Sequence, residues 1–275
     1  MSQLKSIQAP LIVYQCYGRE DIYEQVFFSV LSLLKVSDWP SEKIVLYTDR
    51  PDKIASFFQN RIRSVSLEPR RIEEWAGPLR FVHRVKLEVL RHAARDLQSN
   101  LVYLDGDTVF LSDPSLLFGR ISPKTSLMHT PETTLKAGRD PLTKKIFKYI
   151  RKNPTSEKIE GSTMMWNAGV IGLHPENFNL LEKCLHLSDE LYSGYQKHIM
   201  EQLAVSHILQ SATFIEGAQH LVQHYWDTKP EHLNTISPFL KAYQNCQQAF
   251  AHFPQLPLKF QIPQKKSWWR FFDHQ

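Results

Sequence analysis

The sequence predicts an α/β fold in which a mostly parallel sheet is flanked by helices. Three observations carry the prediction. Short apolar runs alternate with segments of helical spacing through the first hundred residues, the pattern of parallel strands joined by helical crossovers. Each apolar run closes on polar or turn-forming residues, as in "CYG", "TDRP" and "LDGD". The chain has 275 residues, 42% hydrophobic and 22% charged, which suits a globular chain with one large domain or a core domain with a small appendage.

The elements follow in order. "PLIVYQCYG", Pro10 to Gly18, is a first strand ending in a turn signal. "DIYEQVFFSVLSLLK" places Ile22, Val26, Val30, Leu33 and Leu34 at helical spacing. "KIVLYTDRP", Lys43 to Pro51, is a second strand, and "RIRSVSLEP" a third and weaker one. "LRFVHRVKLEVLRHAARDL" predicts a helix with Val82, Val85, Val89, Ala93 and Leu97 on one face, followed by the strand "LVYL". The pattern loosens from Ser122 to Gly161, where "PLTKKIFKYIRKNP" predicts a short amphipathic helix with a solvated lysine face. "TMMWNAGVIGLHPEN" reads as a strand broken by Asn-Ala-Gly, and "YQKHIMEQLAVSHILQ" as a helix. The stretch Ala218 to His232 concentrates His, Asp and Lys.

Composition narrows the function classes. There is no run of 18 apolar residues, so no membrane span is expected, and the start lacks the basic and apolar segments of a signal peptide. Three widely spaced cysteines, Cys16, Cys184 and Cys246, form no CxxC pair and no disulfide framework, which points to a reducing, cytoplasmic setting with each thiol buried as a small hydrophobe. The formal charge of +5 favours an anionic partner such as a nucleotide, a nucleic acid or an acidic membrane. "RIRSVSLEPRR" is basic but strand-like and carries no nucleic-acid motif, so no nucleic-acid partner is expected. The last stretch, 257–275, interleaves Lys259, Lys265, Lys266 and Arg270 with Phe260, Trp268, Trp269, Phe271 and Phe272. It suits either a peripheral contact with an anionic membrane or a C-terminal clamp packed on the domain.

In open α/β sheets ligands collect at the carboxyl ends of the strands. Asp105 and Asp107 in "YLDGDT", Asp49 in "LYTDR", and Tyr14 to Gly18 occupy three such ends. Asp49 suits contact with a nucleotide base or the capping of the following helix. Two carboxylates one residue apart repel and cannot lie buried unpaired. In extended chain they point to one side and can share a cation, with Gly106 keeping the space between them clear. Oxygen ligands suit Mg2+ or Mn2+, and an added histidine tilts the choice toward Mn2+. The order Asp-Gly-Asp-Thr, a third of the way along the chain, differs from the Asp-x-Asp-Gly-Thr of haloacid dehalogenase-type phosphatases. Val109 and Leu116 stand where an EF-hand loop needs ligands.

"YLDGDTVFLSDPSLLF", then "WNAGVIGLHPEN", then "HYWDTKPEH" form a series that resembles the retaining glycosyltransferases of family 8 and relatives with a GT-A fold. The resemblance covers Leu11 to Lys229. It implies a GT-A-like domain at 1–256 with a basic, aromatic tail at 257–275. It implies a hexosyltransferase that uses Mn2+ or Mg2+ and a nucleotide-sugar donor, expected to be UDP-linked, with a glycan or lipid-linked acceptor and retention at the reacting carbon. By the same resemblance Asp105, Asp107 and His224 are the metal ligands, with His220 competing for the place of His224. Asp105, Lys86, Asn167 and Lys229 contact the donor, Lys229 at the diphosphate and Asn167 at the sugar. Glu201 and Gln202 fall beside the reacting carbon, where the family has Asp-Gln. The glycine that usually follows the late histidine is replaced by Asp227-Thr228. Two other classes remain open. A sugar nucleotidyltransferase would need a glycine-rich loop after the first strand, and "YQCYGREDIY" has one glycine. A non-catalytic nucleotide-sugar-binding or peripheral membrane protein would bind metal and nucleotide without turnover.

Overall fold

The computed structural model describes residues 9–253; the expected tail at 257–275 lies outside them. In chain order the elements are β1 Leu11–Cys16, α1 Glu20–Val36, β2 Ile44–Thr48, α2 Pro51–Phe58, β3 Arg63–Ser66, α3 Pro69–Ala76, α4 Arg84–Ala94, β4 Leu101–Leu104, β5 Thr108–Phe110 and α5 Ser115–Phe118. They continue with β6 Thr125–Met128, β7 Pro131–Thr134, α6 Pro141–Lys152, β8 Met164–Trp166, β9 Val170–Leu173, α7 Leu180–Gly194, α8 Met200–Ala212, β10 Phe214–Gly217, β11 Val222–His224, α9 Lys229–Lys241 and α10 Cys246–His252.

A seven-stranded sheet runs in the order β10-β6-β9-β4-β1-β2-β3. The pairs β4/β1, β1/β2, β2/β3 and β10/β6 are parallel, while β9 is antiparallel to both its neighbours. The mostly parallel α/β architecture expected from the sequence is therefore the one observed. Successive strand residues face opposite layers. Leu11, Val13, Leu101 and Tyr103 pack with α4, α7 and α8; Ile12, Tyr14, Val102 and Leu104 pack with α1, α2 and α9. Helices on both faces explain why these strands read as continuous apolar runs. Each fully buried Leu, Ile or Val contributes roughly 1.5–3 kcal/mol relative to exposure.

Three boundaries differ from expectation. The helix predicted from Leu79 begins only at Arg84, because Gly77 (φ 71°) and Arg80 (φ 51°) turn the chain through left-handed conformations. Val82, expected on the buried face, is 59% exposed in that turn. The helix predicted from Tyr195 begins at Met200. The interrupted strand around Asn-Ala-Gly is two strands in different sheets, since β8 pairs with β7 and β9 joins the main sheet. Two helices not foreseen, α7 and α9, supply much of the cover on opposite faces of the sheet.

The register fixes where the strands end. Tyr14 lies opposite both Leu46 and Leu104, so β1, β2 and β4 finish along one edge. Asp49 and Asp105 follow β2 and β4 directly. Two strand spacings separate them, about 10 Å.

Candidate functional site

β4 ends at Leu104 and β5 starts at Thr108, so Asp105, Gly106 and Asp107 form a bend between strands. The two carboxylates converge because the chain bends, not because extended chain repeats every second residue. The bend is pinned from several sides. The Thr108 hydroxyl donates to Asp105 O at 2.8 Å, the Asp105 N–H donates to Gly169 O at 2.9 Å, and the Tyr225 N–H donates to Asp107 O at 3.0 Å. Ser29 links Thr108 to the Tyr14 hydroxyl, tying the bend to α1 and β1. Packing also requires Gly106: a Cβ there would lie 2.7 Å from Val26 of α1.

β5 pairs antiparallel with β11, which sets His224 opposite Thr108. That short ladder brings a side chain from more than a hundred positions away onto Asp107. His224 Nε2 lies 3.2 Å from Asp107 Oδ1 and 4.0 Å from Asp105 Oδ2. Ligand atoms of Asp105, Asp107 and His224 all fall within 4.8 Å of one another. His220 is exposed, against Gln219, and is not in this group.

Cations complete the site. Lys86, on α4 and 4% exposed, holds its ammonium 3.2 Å from both Asp105 oxygens and donates to Ala168 O. Lys229, at the start of α9, lies 2.9 Å from Asp107 Oδ2 with its side chain 45% exposed. Burial alone would raise the Asp107 carboxyl, but His224 and then Lys229 outweigh it and hold the group well below the usual carboxylate range. Burial would lower both lysines, but Asp105 and then Glu201 outweigh it for Lys86, and Asp107 for Lys229, so both are raised.

Glu201, in the first turn of α8, is 2% exposed and lies 3.6 Å from Lys86. Burial pushes its carboxyl up to about 7; Lys86 pulls the other way, but that ammonium already serves Asp105. Glu201 therefore meets a buried lysine rather than open space beside a substrate. Gln202 turns elsewhere and donates to Glu132 Oε2 at 2.8 Å. Asn167 donates from Nδ2 to Glu132 Oε1 at 3.3 Å, and its Oδ1 bonds both the Gly169 N–H and His224 Nδ1. Burial raises the Glu132 carboxyl, with Asn167 and Gln202 drawing it back. Glu132 was not foreseen; its only signal in sequence is an acid directly after a strand and proline in "MHTPETT".

Asp49 stands apart from this cluster. It accepts from the Gly18 N–H and the Tyr23 hydroxyl, joining the loop after β1 to the end of β2. It does not cap α2; the residue that precedes the helix, Arg50, donates its backbone N–H to Thr48 Oγ1. Trp166, open to packing or sugar stacking on sequence grounds, is half-buried at the end of β8, its backbone N–H donating to Ser206 Oγ. Among the described residues no helix is long and apolar enough to cross a membrane.

Two carboxylates and one imidazole, converging beside raised lysines, fit a hard or borderline divalent cation that also takes phosphate oxygens. No protein-family model matches the chain, and no curated protein matches it. Solved structures do. A galactosyltransferase, LgtC, solved with donor and acceptor sugar analogues, is similar at 14% identity over 76% of this chain and 74% of that one, with a TM-score of 0.50. Mouse xyloside xylosyltransferase 1 is similar at 11% identity over 76% of this chain and 86% of that one, with a TM-score of 0.48. The similarity to the galactosyltransferase, together with the mainly parallel sheet and its flanking helices, shows that the chain has the GT-A type of α/β fold.

Proposed function

We propose that the protein is a metal-dependent glycosyltransferase that moves a hexose from a nucleotide sugar, UDP-linked, to a glycan or lipid-linked acceptor with retention. The observation that carries this reading is the convergence of Asp105, Asp107 and His224 beside Lys86 and Lys229 at the carboxyl edge of the sheet. A GT-A fold adds weight to it.

Asp105, Asp107 and His224 would hold Mn2+ or Mg2+, which when bound supplies positive charge for a departing diphosphate. The residues divide the remaining work. Lys229 is the cation with access to solvent, and it is assigned to the diphosphate, whose negative charge grows as the sugar leaves. Lys86 holds Asp105 in place from beneath, and Glu201 shares that ammonium; both position the donor site rather than touch the sugar. Asn167 has one amide hydrogen left after Glu132 takes the other, enough for one sugar hydroxyl. Gln202 has likewise one free N–H to offer near the reacting carbon. Asp49 and the loop after β1, about two strands away, are assigned to the nucleoside.

The test is a thermal-shift panel of UDP, GDP, CDP and ADP, each with and without Mn2+, on the wild type and Asp107→Asn. A ligand that binds only the folded state at a hundredfold excess over its dissociation constant stabilises it by roughly 2.7 kcal/mol. The expected result is an Mn2+-dependent shift with UDP that the variant loses, followed by release of UDP from UDP-hexose when acceptor is present. Binding without release or transfer would favour a non-catalytic nucleotide-sugar-binding protein. Pyrophosphate release from UTP and a sugar phosphate would favour a nucleotidyltransferase.

A further inference from the structure

Glu132 lies at the end of a chain of hydrogen bonds whose donors and acceptors can be assigned without ambiguity. The Gly169 N–H can only donate, so the Asn167 atom facing it at 3.0 Å is the amide oxygen. That oxygen also faces His224 Nδ1 at 2.8 Å, so Nδ1 carries a proton and donates it. The other ring nitrogen, Nε2, is then the atom turned toward Asp107 and Asp105. With its oxygen placed, Asn167 presents Nδ2 to Glu132 Oε1, and Gln202 Nε2 donates to Glu132 Oε2. A carboxylate with one oxygen for each amide satisfies both.

The backbone holds this chain in place. Asn167 exchanges hydrogen bonds with the link between β6 and β7, its N–H donating to Thr130 O and its carbonyl accepting from the His129 N–H. The β7–β8 ladder shifts register at Glu132, between Pro131 opposite Trp166 and Thr133 opposite Met165, and the Glu132 side chain reaches Asn167 Nδ2 from there. Gly169 leaves room for the imidazole, since a Cβ there would fall 2.2 Å from His224 Nδ1. The Asn-Ala-Gly sequence thus orients His224 with its first residue and clears space for it with its third.

We propose that Glu132 is a positioning residue that, through Asn167, fixes the tautomer and direction of His224 and, through Gln202, ties the metal site to the first turn of α8. This deepens the proposed function and rests on its assignment of Asp105, Asp107 and His224 as metal ligands. A histidine that binds metal through one nitrogen depends on what the other nitrogen's hydrogen bonds to, and loss of such a partner lowers metal affinity roughly 10–100-fold.

Glu132→Leu tests it, because it removes both acceptors and leaves the Asn167 and Gln202 amides without this partner. Glu132→Gln is the conservative control: its oxygen still accepts from Asn167, and its amide donates to the Gln202 oxygen once that side chain turns over. The first measurement is affinity for Mn2+ alone, without nucleotide, by electron paramagnetic resonance. The second is the 15N spectrum of the His224 ring in the metal-free protein. The expected result is an affinity roughly tenfold weaker in Glu132→Leu, a His224 Nδ1–H signal that moves in that variant, and retention of both in Glu132→Gln. Wild-type affinity and an unchanged ring signal in Glu132→Leu would overturn the proposal. So would Glu132→Gln as impaired as Glu132→Leu. A wild type that binds no Mn2+ would instead overturn the metal assignment, and the ring signal in the metal-free proteins would still decide whether Glu132 governs His224.

Discussion

The Lys86 ammonium lies 3.2 Å from Asp105 and 3.6 Å from Glu201, buried beneath the bend that carries the two aspartates. One cation serves two carboxyls of unequal standing, because Glu201 is the more deeply enclosed and is left partly uncompensated. Removing Glu201's charge therefore has a definite signature. Its carboxyl titrates near 7 in the folded chain against an ordinary 4.5. The folded state then binds more protons than the unfolded state between those values, and the group's contribution to stability, complete below 4.5, is lost as pH rises through 7. Glu201→Gln is expected to lose less stability than the wild type between about pH 5 and pH 7, by at most roughly 1.4 kcal/mol per pH unit. Thermal melting of both proteins across that range, without metal, checks this. His83 and His129, lowered by burial to about 4 and about 3, act in the opposite sense in both proteins and cancel from the difference.

The two candidate histidines separate by burial and position. His224→Ala removes a ring that faces both aspartates, whereas His220→Ala alters an exposed ring. Calorimetric titration with Mn2+ is expected to show at least a tenfold loss for the first and less than a twofold change for the second, on the order of 1.4 kcal/mol of binding free energy per tenfold. Equal losses would return the ligand to dispute.

Gly169→Ala places a methyl group where the His224 imidazole stands. Its neighbours are the ring and the bend, so the ring must swing away from Asp107. Mn2+ affinity is expected to fall by about as much as in His224→Ala, on the same free-energy scale, with secondary structure by circular dichroism unchanged. Retained affinity would mean that the bend yields instead of the ring.

The two aspartates should differ in their effect on folding. Asp107→Asn leaves Lys229, whose side chain is 45% exposed, so that cation can rehydrate. Asp105→Asn leaves Lys86 buried with Glu201 as its one close carboxyl, at a cost below the roughly 3–5 kcal/mol of a wholly uncompensated buried charge. Both variants are expected to lose Mn2+-dependent UDP binding, with the larger drop in denaturant midpoint in Asp105→Asn. A larger drop in Asp107→Asn would place the structural load on the other pair.

The segment 257–275 is proposed to meet an anionic membrane. Its deletion is expected to reduce co-sedimentation with phosphatidylserine vesicles, most clearly at low salt, and to leave nucleotide binding unchanged. Unaltered vesicle binding would make the segment a packing element.

Most of the sheet was legible because apolar runs and turn residues state strand ends locally. "LVYL" before Asp-Gly-Asp placed Asp105 and Asp107 at a carboxyl edge, and the structure keeps them there. Helix starts were less legible. Gly77-Pro78 marks a turn, but nothing in "LRFVHRV" shows that the turn runs on through Arg80 before the helix begins. The packing need at Gly106 was not legible either, since it comes from Val26 of α1, a contact made eighty positions away.

By itself the sequence determined the fold class, the paired carboxylates and the set of cations and histidines from which a site could be drawn, because periodicity and strand-end composition are local properties. Only the tertiary structure decided which members of that set meet. Pairing of β5 with β11 selected His224 over His220, packing of α4 beneath the bend put Lys86 on Asp105, and the register shift in the β7–β8 ladder set Glu132 against Asn167 and Gln202. Those choices depend on strand register and on burial, which bring together residues that carry no mark of each other along the chain.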